Sequence, residues 1–316
     1  MSPVLPAPPA PPDLVRRLGG RRLWLSGQRG FIGGRLGAIA AACGADVFGL
    51  PGDVREGVQE HILAVDPDLL VHLAAPVNVA RDPSLAQQMQ DVIVGGARAV
   101  RAAADALSRR RGVRPQLVLV GTCEEYGTIA APFAEDAEPS VPVSPYAAAK
   151  LQATREAIEA AGDAAFGIVV ARPFLTYGPG QRPRQLVPAA IDAALAGRSF
   201  PMTAGLQTRE LNYVDDVAVG LLRAAVTPAA HGHIVNIGSG DEHRVVDIVA
   251  RIFQLAGADP GLIEAGALPV RSGEVARFHA DVTRARELLD HVAVITLDEG
   301  LRRTITWARQ AREAGA

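Results

Sequence analysis

The sequence predicts an α/β protein, a doubly wound parallel sheet with a smaller C-terminal lobe, on three observations. From Arg21 onward, short apolar runs alternate with helical stretches. The runs carry little polar alternation, as strands covered on both faces require. The first run passes directly into a glycine-rich turn and then a helix, "SGQRGFIGGRL". Such an order demands right-handed crossovers, and ligands of these open sheets lie at the carboxyl ends of the strands.

Taken in order, residues 1–20 contain "PVLPAPPAPP" and are expected to form a flexible tail, because proline at that density resists helix and sheet. The segment has neither a basic start nor an apolar helix, so it does not read as a secretory signal. "RRLWLSG", "GADVFGL", "DLLVHLA", "PQLVLVG" and "GIVVARP" read as buried strands, with helices near 31–43, 84–108 and 146–161 between them. After Pro173 comes a loop, "TYGPGQRPRQ", then a helix near 186–197 and the stretch "RELNYVDDVAVGLL". A strand, "HIVNIG", and helices near 245–257 and 298–311 close the chain. Residues 21–175 with about 208–238 are assigned to the large lobe, and about 176–207 with 239–316 to the small one.

Composition narrows the function. Net charge is −2, so neither nucleic acid nor an anionic membrane surface is an expected partner. No apolar run reaches the roughly 18 residues of a membrane span. Cys43 and Cys123 have no paired spacing and the 7 histidines no ligand spacing, so no disulfide framework or metal site is expected. A reducing, cytoplasmic setting follows as the expectation.

Two motifs carry chemistry. Gly27, Gly30 and Gly33 form a G-x-x-G-x-x-G turn between strand and helix, where a dinucleotide pyrophosphate can reach the first helical amides. An acid at the end of the second strand would select NAD by holding the ribose 2′-hydroxyl. That strand ends "VFGLPGD", with Pro51 at the place for the acid. Arg29 in the turn and Arg55 are candidate partners of a 2′-phosphate, which favours NADP and leaves NAD open. Asp53 and Val54 are expected to meet the adenine. In "SPYAAAK", Ser144 is a good N-cap and Pro145 suits the first turn. Tyr146 and Lys150 then share one helix face. The pair suits either two wet tips over apolar stems or a proton donor beside a charge that tunes it.

With "PDLLVHLAA", "LVLVGTCEEYG", "ARPFLTYGPGQ", "VNIGSG" and "RSGE" added, the chain from Arg21 to Trp307 resembles an extended short-chain dehydrogenase/reductase of the epimerase/dehydratase type, with a Rossmann-type lobe. The resemblance implies that Tyr146 and Lys150 are the catalytic pair and that Lys150 lowers the tyrosine pKa and bonds the nicotinamide ribose. Thr122 would orient the reacting sugar oxygen. Cofactor contacts are implied at Gly27, Arg29, Gly30, Phe31, Ile32, Gly33, Asp53, Val54, Leu73, Ala74, Ala75, Tyr146, Lys150 and Pro173. The implied substrate is a nucleotide-diphosphate sugar, its diphosphate met by Arg209 and Arg271.

Dehydratases of this kind place an acidic pair after the Ser/Thr, and this chain has Cys123 and Glu124 there. Glu124 is the remaining catalytic and substrate-binding candidate, and Glu125 is expected to be structural. The pattern looks most like NADPH-dependent reductases of nucleotide-linked 4-keto-6-deoxyhexoses, with an NAD-dependent 4-epimerase or dehydratase as alternative. A dinucleotide-binding regulator without catalysis is the alternative from another class, disfavoured by the retained pair. Leu175 stands where many relatives carry an Asn that contacts substrate. The resemblance also implies a homodimer packed through the helix bearing Tyr146 and the long helix before it.

Overall fold

In the computed structural model, residues 10–77, 79–270 and 273–315 are described. The chain enters through α1 (Pro12–Leu18), which corrects the expected tail. Residues 1–9 lie outside the described residues, but 12–18 are ordered by burial. Pro12 sits in the first turn, where its missing N–H is harmless. Leu14 and Leu18, one turn apart, are fully buried in the sheet's core. Asp13 also pairs with Arg223 at 3.2 Å.

The large lobe alternates as expected. It runs β1 (Arg22–Ser26), α2 (Phe31–Ala42), β2 (Asp46–Gly49), α3 (Val58–Val65) and β3 (Leu69–His72). A helical stretch follows: α4 (Ala86–Met89), a π-helical turn (Gln90–Val94) and α5 (Gly95–Arg111). Then come β4 (Gln116–Val120), α6 (Pro145–Glu159) and β5 (Gly167–Pro173). The π-turn was not anticipated in the uniform helix expected near 84–108. It precedes Gly96, where an added Cβ would lie 2.7 Å from Val54, so helix and second-strand loop meet there without a side chain between them.

Beyond β5 lie β6 (Thr176–Tyr177), α7 (Leu186–Ala196), β7 (Phe200–Met202), β8 (Thr208–Glu210), β9 (Asn212–Tyr213) and α8 (Val214–Ala225). β10 (Ile234–Ile237), β11 (Glu242–Arg244), α9 (Val245–Ala256), β12 (Ile263–Ala265), β13 (Arg277–Phe278), α10 (Thr283–Leu289) and α11 (Leu297–Gly315) complete the chain. The main sheet is six-stranded and parallel, in the order β10-β5-β4-β3-β1-β2. β2 is its edge and only half-buried, unlike the fully covered strand expected.

Side chains alternate between two cores. Leu23 and Leu25 of β1 face α1, α2, α8 and α10, whereas Trp24 faces α3, α5 and α6. In the small lobe, β8 pairs with β11 and β13, so of the segment 208–238 only α8 and β10 join the large lobe. The assignment of β8 to that lobe is thereby corrected. Its partners are strands much later in the chain. α7, α9 and α11 bury Ile248, Ile252, Phe253 and Leu301 beside it.

Because β2 lies on one side of β1 and β3 on the other, chain direction switches at the β1/β3 junction. This is where a doubly wound sheet opens a crevice. Among the described residues, no helix is long and apolar enough to cross a membrane. Leu18→Ala is expected to destabilise the protein by about 2–4 kcal/mol in urea unfolding. A midpoint equal to wild type would show that α1 is not part of the core.

Candidate active site

The crevice begins at the glycine turn. Gly27 has φ of +76°, and a Cβ on it would lie 3.0 Å from the Ala74 amide nitrogen. A Cβ on Gly33 would lie 2.1 Å from the Gly27 carbonyl oxygen, so α2 starts pressed against the turn. Gly30 caps α2 without a side-chain bond, and the first intrahelical amide is that of Gly34. The N–H groups of Phe31, Ile32 and Gly33 therefore face an opening kept clear of side chains, which fits a pyrophosphate.

Behind this turn, Ser26 Oγ accepts from Leu73 N at 3.1 Å and Ala74 N at 3.0 Å and lies 2.7 Å from His72 Nδ1. Burial pushes His72 down to about 3, and the Lys150 charge adds to this, so the ring is neutral and accepts the serine proton. This bracket joins β1 to β3 and sets Leu73, Ala74 and Ala75 at the crevice wall. Sequence reasoning missed it.

At the ribose end, Arg29 is exposed and its Nη2 donates to the Pro51 carbonyl at 3.4 Å. Val54 is buried, and Asp53 is held by Arg55 at 2.6 Å, which keeps its carboxyl down at about 2. Arg55 is thus engaged by Asp53, whereas Arg29 stands at the strand end that lacks an acid.

Tyr146, Lys150 and Thr122 come together on the other side of the crevice. Ser144 Oγ accepts from Ala147 N at 3.1 Å, capping α6 as expected. Lys150 Nζ donates to the Val120 carbonyl at 2.6 Å, and His72, Ala74, Val120, Gly121 and Lys150 line one recess. Burial draws Lys150 down to about 8, opposed by the nearby Glu125 charge. Pro173 ends β5 beside this recess's strand, β4.

The expected lowering of Tyr146 is not what the protein's own groups produce. Burial pushes its phenol up, the hydrogen bond with Thr122 opposes this, and the nearby Glu125 and Glu124 charges add to the rise. The Lys150 ammonium is committed to the Val120 carbonyl. At pH 7 the phenol is neutral and able to donate.

Thr122 is held by a buried frame. Its N–H donates to Glu125 Oε1 at 2.8 Å, while Glu125 Oε2 accepts from Arg172 Nε at 2.8 Å. Glu125 is 0 % and Arg172 2 % exposed. The guanidinium lies 4.5 Å over the Tyr126 ring, whose hydroxyl donates to Asn236 Oδ1 at 2.7 Å. Glu125 is therefore structural, as anticipated; Arg172 was not singled out, because its partner lies on another strand end.

Glu124 is half-buried and faces the small lobe. Burial pushes its carboxyl up, opposed by the charges of Arg209 and Arg81. Arg209 is also held by Glu274 at 2.8 Å. Cys123 is buried, and burial pushes its thiol well above the usual range. Arg271 lies outside the described residues. Glu125→Gln is expected to destabilise the protein by about 3–5 kcal/mol, since it leaves Arg172 buried without its counter-charge. Guanidinium unfolding measures this, and a loss below about 1 kcal/mol would contradict the frame.

The model of the NAD dependent epimerase/dehydratase family matches residues 24–238. A dTDP-glucose 4,6-dehydratase of Streptomyces griseus is 31% identical over 262 residues, 83% of this chain and 77% of the relative. A GDP-6-deoxy-D-mannose reductase of Pseudomonas aeruginosa is 26% identical, covering 93% of this chain and 99% of the relative. The solved structure of epimerase Mth375 from Methanothermobacter thermautotrophicus superposes with a TM-score of 0.84 at 26% identity, covering 96% of each chain. With a glycine cradle at the switch point and the matched span running from β1 through β10, the chain belongs to the NAD-dependent epimerase/dehydratase family.

Proposed function

We propose that the protein reduces the 4-keto group of a nucleotide-diphosphate 4-keto-6-deoxyhexose with NADPH. The observation that carries this reading is Cys123. In the position where a dehydratase of this kind needs an acid to protonate a departing C6 hydroxyl, the chain buries a thiol whose pKa is raised well above its usual value. Bound against the amides of Phe31, Ile32 and Gly33, the dinucleotide would supply the hydride for sugar C4. Tyr146, neutral at pH 7, gives its Oη proton to the oxygen that becomes the hydroxyl, and Thr122 positions that oxygen through its own hydroxyl. Lys150 holds a positive charge beside the pair and offers its donors to the nicotinamide ribose.

Glu124, with Arg209 near it, faces the sugar and diphosphate side, and Arg271 is assigned to the same diphosphate. Arg29, at a strand end without an acid, favours NADPH over NADH. The same reading carries a homodimer packed through α5 and α6, where the exposed Ala148 permits close approach.

Two outcomes test this. With a GDP- or dTDP-4-keto-6-deoxyhexose, absorbance at 340 nm is expected to fall in proportion to product, faster with NADPH than NADH. Tyr146→Phe should lower kcat by about 100-fold or more. Tightly held NAD and turnover without added reductant would instead establish a 4-epimerase. Second, kcat/KM should fall as pH rises through about 8, because the Lys150 ammonium is present below that value and lost above it. Lys150→Met should remove this limb, and a flat wild-type profile between about pH 6.5 and 9.5 would exclude the role of the charge.

A further inference from the structure

The proposed diphosphate arginine is already occupied by the protein itself. Arg209 Nη1 donates to the Thr208 carbonyl at 2.7 Å and the Val275 carbonyl at 2.9 Å, which uses both of its hydrogens. Nη2 donates to Glu274 Oε1 at 2.8 Å, and Gln207 Nε2 donates to the same oxygen at 3.0 Å. The two side chains are 16% and 18% exposed, so neither is a freely solvated surface charge. Glu124 faces Arg209 and Arg81 across the lobes, and Arg81 Nη2 reaches the Gly273 carbonyl at 3.5 Å. Among the described residues, two guanidiniums and two carboxylates gather on this side of the site.

A diphosphate approaching Arg209 competes with Glu274 for Nη2. Both Nη1 hydrogens of the guanidinium are taken by carbonyls, and one Nη2 hydrogen by Glu274. We infer that Glu274 is an internal counter-anion for Arg209, which the substrate diphosphate replaces, so that this carboxylate sets the affinity for nucleoside diphosphates. The inference rests on the proposed role of Arg209. Glu274 lies in "RSGE", three residues after Arg271. It acts through Arg209 as a positioning residue, and its removal exposes Nη2 for a charge-assisted bond to phosphate oxygen.

The test is titration calorimetry of the full chain with UDP, dTDP and GDP, and with the matching uncharged nucleosides. Glu274→Gln is expected to tighten the diphosphate that binds wild type by about fivefold or more, leaving its nucleoside unchanged. Glu274→Ala should act in the same direction, which separates loss of charge from any misfit of the amide. In turnover, the change should appear in KM and not in kcat. Equal or weaker diphosphate binding by both variants overturns the inference and leaves the proposed reaction standing. If wild type binds none of the three diphosphates, or Arg209→Leu binds as wild type does, the assignment of Arg209 falls and the inference with it.

Discussion

One buried carboxylate, Glu125, ties together the sheet edge that carries Thr122. It accepts from the Thr122 amide and from Arg172, at 0 % exposure. An ion pair that deep gains stability only when its remaining valences are met. Here a backbone amide takes one carboxylate oxygen and the guanidinium is stacked over Tyr126, while Arg172 Nη1 is buried without a hydrogen-bond partner among the described residues. The result is geometric: the end of β4, where Thr122 leaves the sheet, cannot shift without breaking contacts to β5. Tyr146 bonds to that same threonine, so the frame also bears on where its phenol sits.

The bracket around Ser26 serves the other wall of the crevice. A neutral His72 accepts from the serine, freeing its oxygen to accept two amides at the end of β3. Were the imidazole charged, it could not accept that proton, and the serine would lose its fixed orientation. Burial at this position therefore preserves the shape of the glycine-lined wall as well as packing it.

Much of the fold was legible because its signals are local. Apolar runs, the glycine turn and the Ser144 cap each declare themselves within a few residues. What escaped was nonlocal. α1 hides two core leucines behind a proline-rich start, and β8 finds its partners in β11 and β13. The Glu125–Arg172 pair joins residues 47 apart in sequence, and Arg209 meets Glu274 across 65. Neither member of such a pair is marked by its neighbours in the chain. At the site, spacing placed Tyr146 and Lys150 on one helix but not their electrostatics, because burial, not the adjacent lysine, dominates the phenol.

That electrostatic balance has a direction. Burial alone would move both groups toward neutrality, raising Tyr146 and lowering Lys150. Glu125 sits close enough to act on both, and a negative charge favours the protonated form of each. It pushes the phenol further up while holding the ammonium against desolvation. Burial and the Glu125 charge together keep the phenol protonated, and the same charge favours the Lys150 ammonium. Any shift the other way must come from positive charge brought in with the cofactor, whose oxidised ring carries it and whose reduced ring does not.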